Sequence, residues 1–277
     1  PRIMCRLGRT RKASTSWSVR KTINNTFTVV TNRITNTIQF QSFIKMSREY
    51  PKIWGKFERN VDEKTLTFVI EDVPEAMWDT AVEFMLGNYI EEDVWWSTAG
   101  TAQDPDAVQE YRVLWQSIIR QKMSLACFLL GKDDEKTLVG VNMCMLQEKD
   151  HFVEHKPPNT KAGLLSLRMF AEAVKVNAIY EKYDVTSYLM GAGLSVAPEY
   201  RRLGISVELL KCRMMLAKAI NQKVTGGIFT SIAAQKTAEK AGMECLYQIP
   251  YKEFGEQCEI DFNTDTEYLK IFGKRIE

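Results

Sequence analysis

The sequence predicts an α/β domain with a mixed sheet and one core. Three observations lead there. Apolar segments rich in β-branched residues are interleaved with segments of helical apolar period. Their order reads βααββαβαβαββ, without an internal repeat. The 277 residues, 45% of them hydrophobic, can bury a substantial core.

Each element has its own signal. KTLTFVIED (64–72) alternates and is rich in β-formers, which predicts a strand. A helix follows over 73–90, with Pro74 at its start and Ala76, Met77, Thr80, Ala81, Phe84 and Met85 on one face. Residues 91–106 read as a loop carrying three acids beside two tryptophans. Val108, Tyr111, Leu114, Trp115 and Ile118 align on a helix over 107–121. SLACFLLG and TLVGVNMCML flank the acidic turn KDDEK and predict a hairpin. Residues 147–163 are polar and interrupted by proline, and 164–183 read as a single helix. VTSYLMGAGLSV (185–196) is a strand in which Gly191 and Gly193 predict a bulge or a close backbone approach. The next helix presents Leu203, Val207, Leu210, Met214 and Ala217 as its buried stripe. VTGGIFTS (224–231) is a strand, 232–242 a short helix closed by Gly242, and 243–251 and 258–262 are strands.

Charge is unevenly spread. Residues 1–48 contain ten Lys/Arg and no Asp or Glu, leaving 27 cations against 35 anions beyond them. An acidic body argues against a nucleic-acid groove and favours a cationic substrate. Residues 1–45 read as a basic, disordered extension, although their composition also resembles a mitochondrial targeting segment; residues 46–277 form the domain proper. Six scattered cysteines, without a Cys-x-x-Cys, indicate a reducing compartment and no disulfide framework, and the expected location is the cytoplasm. No apolar stretch reaches about 18 residues, so no membrane span is expected.

The most informative stretch is LSVAPEYRRLGISVELL (194–210), where a strand hands over to a helix. A helix start presents free N–H groups and a partial positive charge. Gly204 removes a Cβ from the approach, Ser206 is small, and Arg201 and Arg202 add two cations. Together they suit a phosphate or diphosphate; an ordinary helix start with a solvated arginine pair is the alternative. Gly-x-x-x-x-Gly-Lys-Ser/Thr does not occur, and Gly191-Ala-Gly193-Leu-Ser-Val196 has valine where a dinucleotide fingerprint needs its third glycine.

Arg201-Arg202-Leu203-Gly204-Ile205-Ser206, behind Leu194-Ser195-Val196, resembles the acetyl-CoA signature of the GCN5-related N-acetyltransferases (GNAT superfamily), and especially the insect arylalkylamine N-acetyltransferases. Phe229-Thr230-Ser231 followed by Glu239-Lys240-Ala241-Gly242-Met243 is similar to the family's second signature. The resemblance is strong over about 185–255. It implies the GNAT fold, a twisted mixed sheet of about seven strands with helices on both faces. It also implies acetyl-CoA as cosubstrate, its pantetheine arm lying between the strands 185–196 and 224–230 and its diphosphate on 201–206. Leu194, Ser195, Val196, Arg201, Arg202, Leu203, Gly204, Ile205 and Ser206 are then the cofactor-binding set, and a small amine is the acceptor. Two departures are Ser206 for Gly/Ala and Met243 for an aromatic residue.

Acetyl transfer needs a neutral amine, and deprotonating an alkylamine at pH 7 costs about 4–5 kcal/mol. A positioned base meets part of that. Glu91, Glu92 and Asp93 lie where the insect enzymes carry a catalytic glutamate; Asp93 falls opposite it and Glu92 one residue earlier. Trp95 and Trp96 line an amine pocket or pack in the core. Strand N–H groups near Leu194 to Val196 suit the thioester oxygen. Thr230 aligns with a serine that protonates the departing thiolate, while Ala234 replaces a second; Tyr247 and Tyr251 are spare donors. His151-Phe-Val-Glu154-His155 matches a zinc-protease motif, but prolines follow at once where a helix is required, so no metal is expected. The alternatives to a small-amine acetyltransferase are a peptide N-acetyltransferase of the same fold and a non-catalytic acyl-CoA-binding relative.

Overall fold

The computed structural model describes residues 48–149 and 157–277. The expectations for residues 1–45 and for His151, Glu154 and His155 lie outside the described residues.

Eight strands form one mixed sheet: β1 (Ile53–Val61), β2 (Lys64–Asp72), β3 (Leu125–Leu130), β4 (Lys136–Glu148), β5 (Ser187–Val196), β6 (Val224–Phe229), β7 (Glu244–Pro250) and β8 (Tyr268–Arg275). Their spatial order is β1-β2-β3-β4-β5-β6-β8-β7. All neighbours are antiparallel except β5 and β6. The helices are α1 (Trp78–Asn88), α2 (Val94–Ala99), α3 (Pro105–Ile119), α4 (Lys161–Val174), α5 (Ala178–Tyr183), α6 (Ile205–Ala219), α7 (Ile232–Lys240) and α8 (Tyr251–Cys258). This is the α/β class expected from the sequence, with one strand more than the seven anticipated.

The main core lies between the sheet and α1 and α3. Met85, Trp115, Ile118, Val141, Met143 and Met190 meet there. A second cluster, with Leu210, Ala238, Met243 and Phe272, joins α6 and α7 to the sheet.

Several elements depart from the sequence reading. β1 was not anticipated because it is an edge strand whose side chains are mostly solvated; Trp54 is its only buried residue. Residues 91–106 are not a plain loop, since Asp93 caps the two-turn α2. The single helix over 164–183 is two helices, broken where Asn177 adopts φ 50°. The buried face of α6 comprises Ile205, Leu209, Leu210, Cys212, Arg213, Leu216 and Ala217, so only Leu210 and Ala217 of the expected stripe are on it. Residues 258–262 are not a strand. Tyr251, Phe254 and Cys258 instead give α8 a buried face, and the eighth strand comes later, at 268–275.

The topology has one discontinuity. β5 and β6 pair in parallel only at Leu189–Thr225 and Met190–Gly226. Beyond that, β5 runs on beside β4 to Val196 and β6 runs on beside β8 to Phe229, with no pairing between them. The register of β4 against β5 also slips: Cys144 faces Gly191 while Asn142 faces Leu194, so β5 carries an extra residue. This is a bulge within the glycine pair Gly191 and Gly193.

At the last paired position, a Cβ on Gly226 would lie 2.5 Å from Ile179 Cδ1 and 2.7 Å from the Phe272 carbonyl oxygen. A backbone atom cannot retreat as a side chain can. Gly226→Ala is expected to lower unfolding stability by about 1–3 kcal/mol, the usual cost of overpacking; an unchanged urea midpoint would show that the strand pair is not closed this tightly.

Candidate active site

Two clusters meet at the opening between β5 and β6. The first is the turn leading into α6. Arg202 and Gly204 adopt left-handed conformations, with φ of 67° and 78°. Gly204 is the N-cap of α6, and its carbonyl accepts from the amides of Val207 and Glu208. The amides of Arg202, Leu203, Gly204, Ile205 and Ser206 donate to no other group among the described residues. Five unengaged N–H groups at a helix start make a concave donor surface suited to an anion. Arg59 of β1 braces the turn from outside, its Nε donating to the Leu203 carbonyl at 2.8 Å.

The side chains of the turn have separate roles. Arg202 is exposed. Arg201 is engaged: its Nε donates to the Val196 carbonyl at 2.9 Å, and its guanidinium pairs with Glu92 at 2.8 Å. The Ser206 hydroxyl lies 3.2 Å from that of Thr237 on α7. In β5, Leu194, Ser195 and Val196 stand opposite Asn142, Val141 and Gly140 of β4. The Ser195 hydroxyl is turned away, donating to the Asn88 carbonyl at 3.2 Å.

The second cluster surrounds Asp93. Its carboxylate is buried, 7% exposed. One oxygen accepts the Trp95 amide at 2.9 Å, capping α2; the other accepts the Thr230 hydroxyl at 2.6 Å. Two residues 137 positions apart, each singled out in the sequence on separate grounds, are thus in direct contact. The Tyr251 hydroxyl donates to the Thr230 carbonyl at 2.7 Å. Tyr89, at the end of α1, reaches from this carboxylate to the bulge, where a Cβ on Gly193 would lie 3.5 Å from its ring.

Burial pushes the Asp93 carboxyl above its usual range, opposed by hydrogen bonds from Thr230, from the backbone of Trp95 and Trp96, and from Tyr89. The Tyr89 hydroxyl is pushed up by burial and then by the charge of Asp93. The site therefore holds a desolvated carboxyl with raised proton affinity, surrounded by neutral hydroxyls. Such a group can take a proton from a cationic partner. Thr230 has already committed its one proton to Asp93, and Glu92 is exposed and tied to Arg201.

The tryptophans divide as well. Trp95 is buried and stacks on Phe254 at 5.9 Å, so it packs in the core. Trp96 is half-buried, edge-on to Tyr111 at 4.1 Å. Tyr247 is partly buried beside the core.

Sequence reasoning did not pick out four residues. Asn142 and Trp115 hold the bulge, donating to the Gly193 carbonyl at 2.9 Å and the Ala192 carbonyl at 3.3 Å. Tyr89 is the third. Arg213 is the fourth, a cation in the buried stripe of α6. Arg213 had a legible signal, since it stands three and four residues from Leu210, Leu209, Leu216 and Ala217; the other three carried none. Among the described residues no group of three His, Cys, Asp or Glu gathers as metal ligands. Cys127, Cys144, Cys212, Cys245 and Cys258 are free thiols, and among the described residues no helix is long and apolar enough to cross a membrane.

Comparison with solved structures places this arrangement on a known fold. The chain is similar to a putative arylalkylamine N-acetyltransferase 7 from the mosquito Aedes aegypti (24% identity, TM-score 0.75, covering 84% of this chain and 98% of that one). It is also similar to the Drosophila melanogaster polyamine N-acetyltransferase that forms N-acetylagmatine (16%, TM-score 0.61, 75% and 99%). The C-terminal condensation domain of Ebony, solved with β-alanyl-dopamine, shares the fold at 12% identity, a TM-score of 0.58 and coverage of 76% and 100%. The architecture is that of the GNAT acetyltransferases. No family model matches the sequence, and no curated protein matches it.

Because the Asp93 carboxyl is raised on folding, the native state holds its proton more tightly than the unfolded chain does. This group therefore favours the fold below its unfolded pKa, and that contribution is lost as pH rises through the folded value. Asp93→Asn is expected to flatten the fall in urea stability from about pH 4 upward; equal slopes in both proteins would contradict the burial of this carboxyl.

Proposed function

We propose that the protein is an acetyl-CoA-dependent N-acetyltransferase acting on a small primary amine, with arylalkylamines the first class to test. The observation that carries this is the unpaired opening between β5 and β6, ending beside five unengaged amides. One feature takes an extended arm, the other a diphosphate. The donor set fits the nucleotide: the amides of Arg202 to Ser206 hold its diphosphate, Arg202 adds a mobile cation, and the open edge of β5 from Gly191 to Val196 receives the pantetheine amides. Bound there, acetyl-CoA supplies an activated acyl carbon.

The chain's own residues do the rest. Asp93 lies where the incoming amine sheds its proton, taken directly or through one water, and burial makes its carboxylate the stronger base. Thr230 and the Trp95 amide hold that carboxylate in place, so its lone pairs stay aimed as charge shifts. Glu92 fastens Arg201 and so joins the loop before α2 to the diphosphate turn. Attack is direct, within a ternary complex; Cys127, Cys144, Cys212 and Cys258 are buried with thiols pushed up and do not serve as acyl carriers. The enclosure of Asp93 favours a small amine over a peptide. Beyond Tyr251 lies a cleft of about 560 Å³ lined by Lys252 and by Glu256, Glu259, Asp261 and Glu267, of which Glu259 pairs with Arg168; the remaining excess of carboxylates suits a cationic acceptor. The Ebony domain, on the same fold, is solved with β-alanyl-dopamine. The free thiols fit a reducing cytoplasm.

Calorimetry with acetyl-CoA, followed by turnover of an arylalkylamine, a polyamine and a peptide amine, tests the reading. Asp93→Asn is expected to lower kcat/KM by about 100-fold or more while leaving acetyl-CoA affinity intact. Gly204→Val is expected to weaken acetyl-CoA binding, because a branched residue is strained at φ 78°. Binding of acetyl-CoA with no amine turned over would make the protein a non-catalytic acyl-CoA binder, and turnover of the peptide alone would make it a peptide acetyltransferase.

A further inference from the structure

Arg213 is a buried cation without an anion. Its side chain projects from α6 to the point where β5 and β6 part, and the residue is 2% exposed. A Cβ on Gly191, the first β5 residue beyond the last parallel pair, would collide with its Nη1. Its Nη2 faces the Met243 sulfur at 3.8 Å, and its Nε has no partner. Among the described residues, the charged or titratable groups facing it are Cys144 of β4 and Tyr188 of β5, and no carboxylate is among them. A second orphan lies two residues along β4: Asn142 Oδ1, buried and without a donor, opposite Leu194 at the bulge. Buried guanidinium groups normally have carboxylate or carbonyl partners; this one is surrounded by sulfur and ring edges at the apex of the proposed acyl-donor site.

We propose that Arg213 is a catalytic residue that receives the sulfur of the departing coenzyme A as a thiolate. The proposal rests on the acetyltransferase reading and assigns it a leaving-group site. Once Asp93 has passed the ammonium proton to solvent, the neutral amine nitrogen forms a bond to the thioester carbon and gives a second proton to Asp93, which releases it to solvent in turn. The carbon–sulfur bond breaks with its electron pair going to sulfur, and the resulting charge lies against the guanidinium. The thiolate takes up a proton from solvent as the product leaves, so that amine and thioester become amide and thiol. Thr230 does not serve this role while its proton is held by Asp93, and Arg213 is then the positive group at the apex. Cys144, pushed up to about 12, and Tyr188, pushed up by burial, stay neutral at physiological pH, so neither supplies the missing charge.

The test compares coenzyme A with desulfo-coenzyme A by calorimetry on the full chain. A free thiol of this kind titrates near pH ~8.5. A cation that favours the thiolate lowers that value in the complex, so coenzyme A must bind more tightly as pH rises while desulfo-coenzyme A does not. The wild-type preference for coenzyme A is expected to grow by about fivefold or more between pH ~6 and ~8.5, the growth that a thiol pKa lowered by one unit or more produces. Arg213→Met should abolish that growth, and Arg213→Lys should retain most of it. Removal of an unpaired buried charge should leave the melting temperature of Arg213→Met equal to or above that of the wild type. The proposal is overturned if the wild-type preference is flat with pH, if Arg213→Met keeps it, or if that variant melts lower with the preference intact. If desulfo-coenzyme A itself fails to bind, the acetyltransferase reading falls first and this one with it.

Discussion

The structure turns on the parting of two parallel strands after two paired residues. A sheet that stops pairing leaves backbone N–H and C=O groups without ladder partners, and these must be met by something else. Here the carbonyls of Ala192 and Gly193 are met by Trp115 and Asn142, which hold the bulge in β5. The bulge increases local twist and turns the end of β5 away from β6. The strand then leads through Pro198–Tyr200 into the turn whose amides point outward. The opening and the turn with its unengaged amides are therefore consequences of one irregularity, placed where β5 and β6 begin to diverge.

Desolvation shapes the electrostatics on both sides of that opening. Asp93 and Arg213 are each buried, and burial disfavours the charged form of each. Asp93 has four hydrogen-bonding neighbours and a defined structural duty as a helix cap. Arg213 has almost none and no evident structural duty. In the proposed reaction the two are complementary: the carboxyl accepts a proton and the guanidinium faces the departing electron pair.

Much of this was legible in the sequence. Apolar runs, helical period and turn chemistry located β2, the β3–β4 hairpin, β5, β6 and α7: β3, β4 and β6 are central strands covered on both faces and read as continuous apolar segments, while α7 has one face against the core and one against water. Gly191 and Gly193 signalled their irregularity, and Arg201 to Ser206 stood out as cations and glycine at a strand-to-helix junction. What stayed hidden has physical causes. β1 pairs through its backbone and exposes most of its side chains, so no pattern marks it. The break at Asn177 falls between Val176 and Ala178, where the residue type tolerates φ 50°, but the helical period of apolar residues runs through it, and α5 packs against β7 and β8. No one-dimensional pattern places Thr230 on Asp93, because that contact depends on how α2 docks against the end of β6. The arginines also show the limit of composition: Arg201 and Arg202 look equivalent in sequence, yet one is fastened to Glu92 and the other is exposed.

β8 lies between β6 and β7 and forms six paired positions with β6, against two from β5. The far wall of the opening is thus held mainly by a segment translated after it. While a ribosome is still making residues 268–275, β6 and β7 have no common neighbour to zip against, and the gap has only one firm side. The opening therefore takes its final form only once the last strand is in place.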